Sequence, residues 1–491
     1  MSYILTDASL GETPAPLLEL LQEMNRTVLK LILCLLVLAV LLPGAQAAST
    51  PISEHRVEEL KQLRFGMFVC WSFSTFSGKE WTPGVTNISL FAAKDCDTDQ
   101  WARTAKEAGM GYILFLTKHH DGFCLWDTQT TERKVTKAAL GRDVLAEVRK
   151  SCDKYGIKLA LYFSEGEWAW SDKPTGGRFD SNGGYNPEMK MAQLKELLTQ
   201  YGPIEYIWFD HAVGNGGLSH EETVAFCKAL QPDCFIGFNH GPPAGDIRLG
   251  EMGHPGPLTD ESGAGFNAGH MKGYTGYRLA EFTYPILPAH QGGAMWFYSL
   301  PQHDTLCLPA ERIYADYLGA AKYGNIFSLD AGPDYAGKLR EIDVQTLRKV
   351  GQYIRGELKL PPAPVSLGKP AKASSVWQNN PQYAAAAAFD GDANTRWGAA
   401  ENSREGWLEV DLGKTTRVDR AMIDEGDWNR VREFELQVQL DGAWKTVASG
   451  TTIGPAREVT FSAVSARVFR LAILKSIEVP TICEVQLVEA K

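Results

Sequence analysis

The chain has 491 residues, a net charge of −10 at neutral pH, 44% hydrophobic and 22% charged residues. That balance describes a folded, mildly acidic protein and gives no electrostatic case for nucleic-acid binding. The length allows two or three domains.

Residues 1–47 read as a leader. Met24-Asn-Arg-Thr-Val-Leu-Lys30 is a basic stretch, 31–42 is an unbroken apolar run, and Ala45-Gln-Ala47 is a cleavage site of the A-x-A type. That order describes a secretory signal peptide with Met24 as the expected true start, and hence a periplasmic or secreted protein. The apolar run is too short for a stable membrane span. Removing residues 1–47 takes away four acids and two bases and leaves a net charge of −8. Eight scattered cysteines remain, without a C-x-x-C pair. Their spacing names no disulfide, and in a large domain buried thiols are the simpler expectation.

From residue 48 to 359 short apolar runs alternate with amphipathic stretches. Strands are expected over 64–71, 111–117, 158–164, 204–210, 234–239, 294–299 and 325–329. Helices are expected over 97–109, 143–155, 187–201, 219–230, 309–323 and 341–357. Strand-then-helix alternation over some 300 residues predicts a parallel sheet with helices outside, and a (β/α)8-like barrel suits that length. No G-x-G-x-x-G follows a strand, so a dinucleotide fold has no support. Residues 360–367, opening Leu360-Pro-Pro-Ala-Pro364, form a stiff linker. Residues 368–491 carry short strand signals over 407–411, 418–423, 434–439, 444–447, 457–461, 468–473 and 484–488. No helical period runs through them, which predicts a small antiparallel β-sandwich.

Two runs end abruptly at ionisable side chains: Ile204-Glu-Tyr-Ile-Trp-Phe-Asp210 and Thr117-Lys-His-His-Asp-Gly-Phe123. A barrel strand ends this way when its C-terminal tip lines an active site. Asp210, short and held at a strand tip, suits a carboxylate nucleophile. His119 and His120 are adjacent, so on a strand their side chains diverge. They lack the i, i+4 spacing of a helical zinc pair, and hydrogen-bonding a sugar's hydroxyls suits them better than metal. Glycoside hydrolysis also needs a second carboxyl. Arg248 stands close to Glu251 in sequence, and a cation beside a carboxyl would lower its pKa.

Phe65-Gly-Met-Phe-Val-Cys-Trp71, Gly78-Lys-Glu-Trp81, Thr117-Lys-His-His-Asp-Gly-Phe123, Leu161-Tyr-Phe-Ser164, Trp208-Phe-Asp210 and Asn325-Ile-Phe-Ser-Leu-Asp-Ala-Gly-Pro333 occur in that order. The set resembles the α-L-fucosidases of glycoside hydrolase family 29 over roughly residues 55–358. The resemblance implies a retaining exo-α-L-fucosidase with Asp210 as nucleophile and Glu251, or alternatively Glu281, as acid/base. It implies sugar contacts from Glu80, Trp81, His119, His120 and Tyr162, with Trp71 and Arg248 as further candidates. Trp71 and Trp81 could equally be core. No cofactor is implied for catalysis, and the expected partner is a fucosylated oligosaccharide or glycoconjugate. The family usually has His before Trp in the first motif. Here Cys70 stands there, and a thiol is a weak donor. A related exo-glycosidase such as an α-L-galactosidase, or a catalytically silent glycan-binding protein, is the alternative.

Ala388-Phe-Asp-Gly-Asp-Ala-Asn-Thr-Arg-Trp397, Trp407-Leu-Glu-Val-Asp-Leu-Gly413 and Arg467-Val-Phe-Arg-Leu471 resemble the discoidin, or coagulation factor 5/8 type C, modules. In sugar-binding members the positions matching Asp390, Asp392, Thr395 and Glu484 surround a structural Ca²⁺. Oxygen-rich loops suit such a cation. A metal-free Asp/Asn turn is the other reading.

Overall fold

The computed structural model describes residues 52–167, 186–212, 215–269, 272–298, 300–360, 362–392, 395–454 and 456–490. The predicted leader over 1–47 lies outside them. Among the described residues no helix is long and apolar enough to cross a membrane. The chain divides into two compact units, 1–358 and 359–491.

The first unit is a closed barrel of eight parallel strands. They are β1 (Phe65–Val69), β2 (Tyr112–Lys118), β3 (Lys158–Ser164), β4 (Tyr206–Asp210), β5 (Phe235–Phe238), β6 (Ile247–Arg248), β7 (Leu279–Pro285) and β8 (Ile326–Asp330). β1 pairs with both β2 and β8 and closes the ring. Strands β1, β2, β5, β7 and β8 are buried at every residue. That explains their near-continuous apolar runs, since parallel strands are covered on both faces. Gly66 is required inside the ring, because a Cβ there would meet the Tyr112 ring at 2.2 Å.

The helices are α1 (Glu54–Leu63), α2 (Phe73–Ser77), α3 (Thr98–Glu107), α4 (Val144–Tyr155), α5 (Pro187–Gln200), α6 (His220–Leu230), α7 (Ala310–Tyr323) and α8 (Glu341–Ile354). The starts of α3, α4, α5 and α6 are legible because their caps are chemical. Asp97, Asp143 and Asn186 each accept a backbone N–H three residues on. Ser219 and Glu222 form a reciprocal capping box.

Three differences from the sequence reading stand out. Neither α1 nor α2 is expected from the sequence, and β6 and β7 fall in a stretch that reads as Gly/Pro-rich loop. The strand expected over 294–299 is not one: 294–298 is a loop, and residue 299 lies outside the described residues. β7 escapes notice because Glu281 interrupts its apolar run and Pro285 ends it. The 294–298 segment misleads because its apolar side chains wall a cavity.

The second unit holds an antiparallel sheet with strand order β13-β12-β14-β11-β16, with β9 (Ala371–Ala373) pairing on β11, and a two-stranded sheet of β10 (Trp397–Gly398) and β15 (Thr481–Ile482). Two pairs of expected short strands are in fact single long ones. β11 runs Gly406–Asp424 and β14 runs Arg457–Ser476, each interrupted by register shifts. Gly413, at φ 82°, sits in one such bulge and supplies the turn-like signal. β12 (Val431–Leu440), β13 (Ala443–Gly450) and β16 (Glu484–Glu489) complete the sheet. Trp397, Leu408, Phe434, Leu436, Phe469 and Leu487 form part of a core belonging to this unit alone.

Candidate active site

The C-terminal tips of the barrel strands converge on a cavity of about 360 Å³. Asp210, the last residue of β4, is its most heavily engaged carboxylate. Oδ2 accepts the Tyr162 hydroxyl at 2.6 Å, and Oδ1 accepts Asn239 Nδ2 and the His211 backbone N–H, both at 2.7 Å. His120 Nε2 lies 3.7 Å from Oδ2. Burial by itself would raise the Asp210 pKa. His120, His240 and the donated hydrogen bonds from Tyr162 and Asn239 outweigh it and hold the group at about 2. The site therefore presents an ionised carboxylate at neutral pH.

His119 and His120 do not diverge. Their ring centroids are 4.1 Å apart and both face the cavity. β2 ends at Lys118, and the Gly122 N–H donates to the His119 carbonyl at 3.1 Å, with Gly122 at φ 75°. The pair sits in a tight turn, where strand alternation does not apply. His120 Nδ1 is 2.6 Å from Ser164 Oγ, whose hydroxyl donates to the Gly166 carbonyl. Burial holds His119 well below the usual imidazole range and His120 at about 4. Both rings are neutral near pH 7 and suited to hydroxyl groups.

Glu80 and Trp81 line the cavity. Glu80 Oε2 accepts the backbone N–H groups of Met295 at 2.6 Å and Trp296 at 3.2 Å, fastening the loop that supplies Met295, Trp296 and Phe297 to the wall. Burial raises Glu80 to about 7 against those two bonds. Cys70 also lines the cavity, its thiol pushed well up by burial and by Asp330 beside it.

The two candidate glutamates separate clearly. Glu251 lines the cavity, and its Oε2 accepts Asn239 Nδ2 at 2.6 Å and lies 2.7 Å from His240 Nε2. Its backbone is pinned by Phe266 N–H onto the Glu251 carbonyl at 2.9 Å and by Met252 N–H onto Thr283 O at 2.8 Å. Glu281 is fully buried in the barrel interior, does not line the cavity, and accepts the Trp208 indole N–H at 3.3 Å. One donor atom from each of Asp210, His240 and Glu251 lies within 4.8 Å of the others. That spacing would admit a cation, but all three groups are already joined by the Asn239 and His240 hydrogen bonds.

Two expected sugar contacts are corrected. Trp71 is fully buried, donates its indole N–H to Asp334 O at 3.0 Å and packs edge-on against Phe91 and Trp101. It is a core residue. Arg248 points away from Glu251. Its guanidinium donates to the carbonyls of Pro257 at 3.3 Å, Leu258 at 2.6 Å and Asp260, and shapes the loop that follows Glu251. Asn239 and His240 at the end of β5, and His211 after β4, were not singled out in sequence. The tip of β5, Phe238-Asn-His, carries the same apolar-to-polar break as the tips of β2 and β4.

In the second unit, Asp390, Thr395 and Glu484 gather around one loop. Thr395 Oγ1 donates to Asp390 Oδ2 at 2.8 Å, Asp392 N–H to Asp390 Oδ1 at 2.9 Å, and Gly391 N–H to Glu484 Oε2 at 3.0 Å. Burial raises Glu484 to about 7, the Gly391 bond opposes it, and Asp390, Asp424 and Asp392 add to the rise. Acidic oxygens gathered around a buried carboxylate are of the donor type that suits a hard cation.

The protein-family description Alpha-L-fucosidase matches residues 44–357, and F5/8 type C domain matches 370–485. Alpha-L-fucosidase 1 of Arabidopsis thaliana is 26% identical over 442 residues, covering 84% of this chain and 82% of that protein. Alpha-L-fucosidase of Dictyostelium discoideum is 32% identical over 128 residues, covering 25% and 27%. The structure of alpha-L-fucosidase isoenzyme 1 from Paenibacillus thiaminolyticus aligns with a TM-score of 0.52 at 21% identity, covering 87% of this chain and 99% of that one. The chain belongs to the α-L-fucosidase family, glycoside hydrolase family 29, and carries an F5/8 type C domain at its C-terminal end.

Proposed function

We propose that this fucosidase is an exported, retaining exo-enzyme that removes terminal α-L-fucosyl residues by double displacement. The observation that carries the reading is the Asp210–Asn239–Glu251 bridge: one amide nitrogen donates to both carboxylates at 2.7 and 2.6 Å. It couples two acids whose nearest donor atoms are within 4.8 Å. Retaining glycosidases hold their carboxyl groups about 5–5.5 Å apart, while inverting ones leave about 6.5–9.5 Å for a water. In the first step Asp210 attacks the anomeric carbon as the bond to the leaving oxygen breaks, and Glu251 gives that oxygen a proton. In the second, Glu251 takes a proton from water as its oxygen displaces Asp210. His119, His120, Glu80 and Trp81 are placed to hold the sugar. The walls at Phe68, Trp208, Trp296 and Phe297 are apolar, which favours the methyl of fucose over the hydroxymethyl of galactose.

Export rests on the charge, apolar-run and A-x-A order of residues 24–47. N-terminal sequencing of the exported protein is expected to read from Ala48. The acidic loop of the second unit supports a structural Ca²⁺ held by Asp390, Asp392, Glu484 and the Thr395 region, and the cation's role would be to neutralise that loop.

NMR of the first-formed sugar is expected to show retained configuration, and inverted product would rule the mechanism out. Glu251→Ala is expected to keep much of its glycosylation rate on a dinitrophenyl fucoside and to lose about 10²–10⁴-fold on a disaccharide, while its slowed deglycosylation is rescued by azide. The same pattern from Glu281→Ala instead would move the acid/base to Glu281.

A further inference from the structure

His240 is not accounted for by sugar binding or by nucleophilic attack. It follows β5 at φ 57°, a left-handed conformation that few non-glycine residues adopt. Asn267 holds it there: its Oδ1 accepts the His240 N–H at 2.8 Å, while its Nδ2 donates to Asn239 Oδ1 at 2.7 Å and to Leu249 O at 3.0 Å. That clamp fixes the Asn239 amide with its nitrogen toward the two carboxylates. It also fixes the imidazole with Nε2 toward Glu251, while the side chain stays 35% exposed. Such strain, maintained by a buried network at a cavity, marks a functional constraint.

The charged and titratable groups facing His240 are Asp210 and His211 from the end of β4, His120 from the turn after β2, and Glu251 from the loop after β6. Glu251 Oε2 is the acceptor for both Asn239 Nδ2 and His240 Nε2. With two donors on Oε2, Oε1 is the oxygen left to carry an acidic proton toward the leaving group.

We infer that His240 is a positioning residue that shares one titratable proton with Glu251, so that the acid/base of the resting enzyme keeps a proton available for the leaving group; this rests on the assignment of Glu251 as acid/base. The proton sits on Glu251 Oε1 with a neutral imidazole, or on the imidazole with a Glu251 carboxylate. In both forms Nε2–H donates to Oε2. Over one catalytic cycle Glu251 gives a proton to the leaving oxygen and regains one from water, so His240 gains and loses none. Its effect is to set the pH at which the pair is emptied. Burial would lower the His240 pKa, but the Glu251 contact and the Asp210 charge lift it to about 8. A raised imidazole pKa means the pair loses its proton as pH rises through about 8, and that defines the basic limb of activity on poor leaving groups.

The test is the pH profile of kcat/KM for wild type and His240→Gln on a fucosyl disaccharide and on a dinitrophenyl fucoside. Gln keeps a donor but carries no proton. The basic limb on the disaccharide is expected to move acidward by at least one pH unit, with little movement on the dinitrophenyl substrate, which departs unprotonated. His240→Gly with added imidazole is expected to move the limb back. Should His240→Gln fold poorly, the His240 titration followed by NMR in wild type and in Glu251→Gln gives a second reading, and it is expected to fall by at least one unit in the variant. A uniform loss of rate with the limb unmoved, or an unchanged His240 titration, overturns the inference. If Glu251→Ala still shows azide rescue, the acid/base reading survives that outcome. If the azide rescue is absent, both fall.

Discussion

Asp210 at the barrel mouth and Glu484 in the second unit are both buried carboxylates with other acids nearby, yet their pKa values move in opposite directions. Asp210 is held at about 2, and Glu484 is raised to about 7. Burial pushes both upward. Asp210 accepts from a phenol, an amide and a backbone N–H, with the His120 ring 3.7 Å from one oxygen. Glu484 has one backbone N–H and three aspartates. The difference teaches that burial does not decide the charge of a carboxylate here; the donors built around it do. One carboxylate is held ionised by the donors around it, and the other is pushed toward its neutral form by burial and by the acids around it.

The comparison breaks most sharply at the nucleophile. Asp210→Asn keeps the shape and most of the hydrogen bonds but removes the attacking oxygen anion. A loss in kcat on the order of 10⁴-fold or more is expected on every fucoside, with the far-ultraviolet circular dichroism unchanged. Residual activity within a factor of ten of wild type would place the nucleophile elsewhere.

Arg248 sharpens the contrast between a group that serves the sugar and one that serves the backbone. Arg248→Met leaves the carbonyls of Pro257, Leu258 and Asp260 without this donor; Pro257 is exposed and Leu258 and Asp260 are half-buried, so water replaces part of what is lost and the cost stays below the roughly 1–3 kcal/mol of a fully buried unpaired group. Lower thermal stability and a fall in kcat are expected, since the loop follows directly on Glu251. A rise in KM alone, at unchanged stability, would return Arg248 to the sugar.

How far these roles were legible follows from the type of signal. Helix starts were readable because Asp97, Asp143, Asn186 and Ser219 announce them by side-chain chemistry. The tips of β2 and β4 were readable because apolar runs stop at His119 and Asp210. Trp71 was not, because one residue past a strand end no periodicity says which way an indole points. Arg248 was not, because sequence proximity to Glu251 says nothing about a guanidinium that turns toward the 257–260 carbonyls. Asn239 and His240 carried the same tip signal as the histidine pair and could have been found by applying it to β5. β7 was hidden because Glu281, buried in the barrel interior, breaks the apolar run that would have identified the strand.

Tyr162 tests the donors themselves. Its 2.6 Å bond to Asp210 is made to a charged acceptor, and such bonds contribute about 1.5–3 kcal/mol. Removing it in Tyr162→Phe is expected to raise the Asp210 pKa by about one to two units, since one unit corresponds to about 1.4 kcal/mol. The sign is fixed by the depressed native value. Asp210 favours the folded, ionised state above its ordinary carboxylate range, and that contribution is lost as pH falls toward 2. In the variant the acid limb of kcat/KM should therefore appear at higher pH, with kcat about 10-fold lower. An acid limb that stays in place would show that His120, His240 and Asn239 suffice without the phenol.

The smallest effect on turnover is expected at Glu484, where the readout is stability. A carboxyl raised to about 7 works the other way from Asp210: the second unit is most stable while Glu484 is protonated, and stability declines as pH rises from the ordinary carboxylate range through 7. A cation bound among Asp390, Asp392 and Glu484 would remove that decline by compensating the charge. At 100 times its dissociation constant, a ligand adds about 2.7 kcal/mol to the folded state. For a unit of this size that corresponds to roughly 5–15 °C in melting temperature. Melting residues 359–491 at pH 8 in excess Ca²⁺ and in chelator should show a shift in this range. The shift should shrink at pH 5, where Glu484 is protonated and binds cations poorly. Glu484→Gln should melt higher than wild type in chelator at pH 8 and respond less to Ca²⁺. Equal melting curves with and without chelator would show that Thr395 and the backbone donors are all the compensation this loop has.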